Sequence, residues 1–440
     1  MAEAFLFAPE AESYVEGLRC FPLRDIGSSR WIVQHDQLEK LNLQAALSAK
    51  RQEDEFIKES LVSHEKMSIL IYELICIEVW KSRIFPLLLK SRVEPKQTFP
   101  CYIVLYHEAT LISLLETVLY HEDVVQACDD VLLDLAEYCS SRIITLASRH
   151  NDGECFYDEN ERASKEPISG IDELKRQYKQ IWFQVTVKAV SILRYIISNL
   201  SSLPVSIATR LLNTHDIICC LVELVDKPPW THQTKDGKIV RYTEAKWCPV
   251  HERETMAVTK TEAQVWLALH HLLMDPECQR KYNYSDHRKA IVLKLRGKLN
   301  EVLLDQIPVL RDLQRYLEHL AVLDIPPPRE ELILEQVPEI REKLIQDNKG
   351  KWKEIATLHG KMILEPDADH VRMMAERFAN TFSLDALEEL ACDVPKCALC
   401  GQPATKRCSR CRNEWYCKRE CQVKHWSKHK RACNIAAEVK

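Results

Sequence analysis

Seven cysteines and one histidine fall into four close pairs near the end of this chain: Cys397-x2-Cys400, Cys408-x2-Cys411, Cys417-x3-Cys421 and His429-x3-Cys433. Each pair can supply two ligands to a tetrahedral zinc, so eight ligands predict two zinc ions. The 37 residues from Cys397 to Cys433 hold few large apolar side chains. They cannot bury enough surface to fold alone, and metal must take the place of a core. Structural zinc in small fingers supplies about 10–16 kcal/mol at neutral pH, which suffices. With every ligand position filled by protein, neither zinc keeps a site for water, so both are expected to be structural rather than hydrolytic.

The rest of the chain obeys a different rule. Only 9 of 440 residues are glycine, and long Leu, Ile, Glu and Lys-rich stretches predict a mainly α body over residues 1–394. In residues 181–200, Val185, Ala189, Ile192, Ile196 and Leu200 recur at steps of three and four and line one helical face. Similar periodicity runs through 54–90, 101–148, 204–225, 257–274, 288–323 and 330–347. Leu114 and Leu115 before His121, and Leu211 and Leu212 before His215, form a faint echo that places Asp123 and Asp216 93 positions apart. Two repeats of about 40–47 residues would give that spacing, as in a HEAT or armadillo array; an irregular helical body is the other reading. Between 228 and 248, Asp236-Gly237 among β-branched residues predicts a β-hairpin insertion flanked by Trp230 and Trp247. Residues 325–330 read as a break between helices, 393–396 as a domain boundary, and 434–440 as a short tail.

Charge and apolar content narrow the possibilities further. Residues 397–440 carry 11 Lys/Arg and 3 Asp/Glu, hence +8; the whole is −5, so residues 1–396 carry −13. Zinc thiolate centres would lower the tail to about +5. The acidic first residues do not make a signal peptide, and residues 67–80 are broken by Glu73 and Glu78, so neither secretion nor a membrane span is expected. In a reducing compartment the 18 cysteines are not expected to form disulfides. Cys219 and Cys220 read as core thiols, Cys392 as an ordinary thiol, and His270 and His271 as a poor chelate, because adjacent helical residues point about 100° apart. Residues 365–370 read as a helix entry. Phosphate-binding loops, the G-x-S-x-G elbow and H-E-x-x-H are all missing.

The ligand spacing, the "WYC" ending on Cys417 and the closing "CQVKHWSKHKRAC" resemble the MYND zinc finger. That resemblance implies interleaved metals: Cys397, Cys400, Cys417 and Cys421 on one zinc, and Cys408, Cys411, His429 and Cys433 on the other. His425 competes for the histidine position, and the x3 spacing to Cys433 favours His429. MYND fingers bind short proline-containing peptides, and the contact positions map to Ser409, Gln422 and Trp426. Gln422 and Trp426 share a helix face, where the indole offers a platform for proline rings; the competing reading is that Trp426 packs the finger's small core. No helix presents Arg, Asn and Gln at base-reading spacing, so nucleic acid is not expected as a partner. The other familiar setting of this finger, inside a SET methyltransferase, needs a Gly-rich cofactor loop that this chain lacks, so no enzyme is expected.

Over its whole length, from "SRWIVQHDQLEKLNLQA" to "CALCGQPATKRCSRC", the chain resembles the BLU family of MYND proteins of ciliated cells. The resemblance implies a cytoplasmic adaptor for preassembly of inner and outer axonemal dynein arms. It implies as partners a leucine-rich-repeat assembly factor, heat-shock chaperones, an immunophilin-type co-chaperone and axonemal dynein chains as clients. The locations it implies include centriolar satellites and the apical region of ciliated cells. The alternative is a nuclear corepressor that uses the same finger.

Overall fold

The structure, a computed structural model, describes residues 6–91, 94–149, 169–234, 236–251, 254–323, 327–328, 336–368, 371–374, 377, 397–400, 402, 404, 406–409 and 415–438. Cys392, the boundary at 393–396 and Cys411 lie outside them, as do parts of 325–330 and 365–370. The chain forms two compact units, Met1–Thr381 and Phe382–Lys440.

The first unit is helical. Its principal helices are α1 (Ser29–Arg51), α2 (Met67–Arg83), α3 (Phe99–Val118), α4 (Val131–Arg149), α5 (Gly170–Ser198), α6 (Ile217–Asp226), α7 (Lys260–Met274) and α8 (Leu310–Val322). Three of these starts, those of α1, α5 and α7, are written in the sequence as side-chain caps. Ser28 and Ser169 accept the N–H groups of Trp31 and Asp172, and Thr259 with Glu262 closes a reciprocal capping box at α7. Val185, Ala189, Ile192 and Ile196 of α5 are all fully buried, while Leu200 lies past the helix end and is half-buried. Around that stripe pack α3, α4 and α7. By length and composition α3 and α5 could each cross a membrane, yet 72% of each apolar stretch is buried inside the protein. Residues 67–80, too short and too charged for a span, lie in α2 and are mostly buried as well.

A stack of repeats contacts only its neighbours in sequence. This body does not behave so, because late segments return to early ones. Trp80 Nε1 donates to His359 Nδ1 at 2.8 Å, His359 Nε2 donates to the Arg24 carbonyl at 3.0 Å, and Lys96 N–H reaches the Leu364 carbonyl at 3.0 Å. Gly27, at φ +84°, sits so close that a Cβ there would lie 3.2 Å from Met362 and 3.3 Å from Ile363. The irregular helical body is thus the fold. The sequence echo is not a repeat either: Asp123 is an exposed first-turn residue paired with Lys58 at 3.4 Å, whereas Asp216 adopts φ +47° at a 56° bend before α6. Tyr282 and Arg288 hold the Asp216 carboxylate there at 2.7 and 2.8 Å.

Residues 231–249 form a three-stranded antiparallel meander, β1 (Thr231–Gln233), β2 (Ile239–Thr243) and β3 (Lys246–Pro249), one strand more than the hairpin foreseen. Gly237, φ +77°, turns the first connection. The second is a two-residue loop, Glu244-Ala245, with both residues left-handed at φ +50° and +59°. A primed turn needs that geometry, but neither side chain favours it. Ala245→Gly is therefore expected to stabilise the body by about 1 kcal/mol, seen as a raised denaturation midpoint with an unchanged m-value.

A buried polar spine crosses α1, α2, α3 and α4. Glu108 accepts Lys81 Nζ at 2.6 Å, and Arg142 Nη2 and Tyr138 Oη at 2.5 Å each. Burial alone would push the Glu108 carboxyl up; Arg142 and Lys81 outweigh it and hold the group at about 2. Nearby, the Nδ1 atoms of His35 and His107 meet at 2.9 Å, with Glu39 and Glu73 at 3.6 and 3.8 Å from the far nitrogens. Burial lowers both histidines, His107 to about 3, and raises Glu39 and Glu73 to about 8. The two effects have opposite signs. The carboxyls lose stability as pH rises from their unfolded value through about 8, and the histidines lose it as pH falls below about 6.5. Stability of the body is expected to be flat from about pH 4.5 to 6.5 and to fall on either side. Glu39→Gln should flatten the alkaline limb in denaturant titrations across pH.

In the second unit, β4 (Lys406–Arg407) pairs antiparallel with β5 (Trp415–Tyr416), and helix α9 (Arg419–Glu438) follows. Its core is small: Cys397, Ala404, Cys408 and Tyr416, with Trp415, Cys417 and Cys421 partly covered against it.

Candidate metal centre

Cys397 and Cys400 sit on a tight turn whose first N–H bonds the Gln402 carbonyl at 2.7 Å, while Ala398 N–H bonds the Trp415 carbonyl at 2.9 Å. That second bond brings the turn against β5, so that Cys417, just past the strand, and Cys421, in the first turn of α9, face it. The ligand atoms of Cys397, Cys400, Cys417 and Cys421 all lie within 4.8 Å of one another. Sulfur separations are 3.5 Å for Cys400 and Cys417, 3.6 Å for Cys417 and Cys421, and 3.9 Å for Cys421 and Cys400. A tetrahedral zinc with bonds of about 2.3 Å requires roughly 3.8 Å between sulfurs, so the donor set fits the ion in both number and spacing.

The four thiols also shift one another. Burial pushes the Cys397 thiol up, but N–H groups of Cys417, Cys400 and Leu399 outweigh it and bring it down to about 6. Burial and the sulfurs of Cys400, Cys421 and Cys397 push Cys417 up to about 12. One sulfur ionises readily and a neighbour then resists. A divalent ion removes that conflict by compensating several thiolates at once.

Of the other four expected ligands, Cys408 and His429 are buried; Cys411 lies outside the described residues, and Cys433 is described only through the backbone of α9. The two histidine candidates separate by environment. His425 Nδ1 is 3.1 Å from Tyr416 Oη and its ring stacks on that of His429, with centroids 6.0 Å apart and planes 10° apart. His425 is half-buried, while His429 is only 4% exposed.

Gln422 and Trp426 stand one turn apart on α9, half-buried and exposed respectively, and Ser409 is exposed just after Cys408. The Trp426 ring meets that of His429 edge-on at 5.9 Å and keeps 36% of its surface open. Among the described residues the aromatic side chains of the finger's apolar cluster are those of Tyr416 and Trp415. The Tyr416 hydroxyl was not foreseen as a partner of His425; the "WYC" run was the available signal.

In the body, Cys219 lies 3.5 Å from Tyr282 Oη, and burial raises both Cys219 and Cys220 to about 11, the state of inert thiols. The rings of His270 and His271 are 5.8 Å apart at 83° and share no metal group among the described residues. Trp230 is buried, and Trp247 stacks on Phe183 at 5.5 Å. The buried spine around Glu108 was missed: "HE" at His107-Glu108 inside an apolar helix was its trace.

Comparison with known proteins agrees with this geometry. The family model of the MYND finger matches residues 397–433. The zinc finger MYND domain-containing protein 10 homolog of Drosophila melanogaster is 32% identical over 98% of this chain and 99% of its own length. Ubiquitin carboxyl-terminal hydrolase 17 of Arabidopsis thaliana is 48% identical over 42 residues, which is 9% of this chain and 6% of that protein. Ubiquitin carboxyl-terminal hydrolase 19 of the same plant is 45% identical over 42 residues, again 9% and 6%. No solved structure matches.

Proposed function

The chain belongs to the family of the zinc finger MYND domain-containing protein 10 homolog, and from that premise we propose that it is a non-enzymatic, cytoplasmic adaptor for preassembly of inner and outer axonemal dynein arms. Its finger is the protein–protein interaction module. Its partners are a leucine-rich-repeat assembly factor, heat-shock chaperones with an immunophilin-type co-chaperone, and axonemal dynein chains as clients. Two structural zinc ions hold the finger, through Cys397, Cys400, Cys417 and Cys421, and through Cys408, Cys411, His429 and Cys433.

One observation carries the reading: a finger with a metal position filled by four protein sulfurs, on whose helix an indole keeps 36% of its surface open. The filled position leaves no site for water activation. When bound, the metal supplies fold rather than chemistry. The exposed Trp426 and half-buried Gln422, joined by Ser409, supply the platform for proline-containing peptides.

Affinity purification from differentiating ciliated cells tests this, comparing the intact chain with Trp426→Ala and with a chain ending at Val394. The intact chain is expected to retain dynein subunits and chaperones, and Trp426→Ala to lose the assembly partner at least about tenfold. An indole anchor in a binding site is worth about 2 kcal/mol or more. Recovery of chromatin proteins and corepressors with no dynein subunits would replace the adaptor by the nuclear reading.

A further inference from the structure

Arg419, Val423, Trp426 and Lys430 follow one another on α9 at steps of 4, 3 and 4. At about 100° per residue they fall within roughly 60° of each other, a single stripe with a cation at each end and two apolar side chains between. Val423 is 66% exposed and Trp426 36%, and Arg419 and Lys430 are exposed. Among the described residues no carboxylate pairs with Arg419 or Lys430. Lys424, also exposed and without an acidic partner there, lies about 140° from Arg419 round the helix, off the stripe.

The stripe fits one kind of occupant. Its two cations lie 11 residues apart, about 16 Å along the axis. An extended peptide advances about 3.3 Å per residue and covers that length in five steps. Single-stranded nucleic acid would need a track of cations and faces on which successive bases stack; an aliphatic Val423 at the middle and cations only at the ends offer neither. The geometry points to a peptide ligand with two acidic residues about five positions apart that bracket an apolar side chain. The apolar residue seats on Val423 and Trp426, and the carboxylates reach Arg419 and Lys430. This rests on the docking role of the finger and adds the charge pattern of what docks.

The test uses the zinc-loaded full chain and dye-labelled hexapeptides, Glu-Gly-Pro-Leu-Pro-Glu against the same sequence with Gln or Lys at both ends, read by fluorescence anisotropy. At low salt the Glu-ended probe is expected to bind about fivefold tighter than the Gln-ended one, as two exposed ion pairs allow. The difference should shrink at high salt. Arg419→Glu with Lys430→Glu should reverse the order of the Glu- and Lys-ended probes, and Lys424→Glu should leave it unchanged. Equal binding of Glu- and Gln-ended probes would overturn the inference. So would an equal effect of Lys424→Glu, or displacement of the peptide by a single-stranded oligonucleotide through the same stripe. If all probes bind alike and Trp426→Ala abolishes them, only the charge pattern fails; if none binds and Trp426→Ala changes nothing in cells, the docking role fails with it.

Discussion

Cys417→Ser is expected to strip the metal from the four-sulfur cluster and unfold the finger while leaving the helical body intact. Its sulfur stands 3.5 and 3.6 Å from those of Cys400 and Cys421, so its loss removes one of the four corners of the tetrahedron. What remains cannot hold: among the described residues the finger's apolar cluster has only Cys397, Ala404, Cys408 and Tyr416 buried, against the roughly 10–16 kcal/mol that structural zinc contributes. Because Cys417 joins β5 to α9, the pairing of Tyr416 with His425 should go too. Metal analysis is expected to show zinc lost, and hydrogen exchange to show protection lost over 397–433 but kept in α3 and α5. Zinc retained at the wild-type ratio would mean that the four sulfurs do not share an ion.

The second large effect is expected in the body. Glu108→Ala removes the one carboxylate that Lys81, Arg142 and Tyr138 share, and leaves two cations facing apolar helices at 4% and 12% side-chain exposure. Breaking a buried pair from one side costs about 3–5 kcal/mol, because the remaining charge is uncompensated. At about 2.1 cal/mol/K per residue for a body of this size, that lowers Tm by roughly 5 °C. Replacing Glu108, Lys81 and Arg142 together by apolar residues of similar volume should recover most of the loss, since the penalty lies in the orphaned charges. Thermal scans of the single and triple variants check both statements.

These two regions were not equally legible in the sequence. The finger announces itself because metal ligands are local: pairs with two or three residues between them have the spacing at which two side chains reach one ion. The helices were legible through their periodicity, as at Val185, Ala189, Ile192 and Ile196. The spine was not, because Lys81, Glu108 and Arg142 sit on three helices and a charge looks the same in sequence whether buried or solvated. For the same reason the body could be read as repeats. The spacing of Asp123 and Asp216 matched an array, but spacing carries no information about the ion pairs and left-handed backbone that give the two residues different work. The third strand, Lys246–Pro249, was hidden by its non-glycine turn, Glu244-Ala245, which lacks the residues that usually mark one.

The buried histidine at position 359 has a consequence for how the protein is made. Its two ring nitrogens join Trp80 and the Arg24 carbonyl across 279 and 335 residues of chain. A ribosome must therefore have delivered most of the polypeptide before the earliest helices can close their last buried surface. Until then the apolar faces around Trp80 wait uncovered, and the nascent body is expected to bind holdases. Premature termination between residues 149 and 359 should yield a chain that chaperones retain and proteases clear, whereas termination after residue 381 should yield a folded body that lacks only its finger.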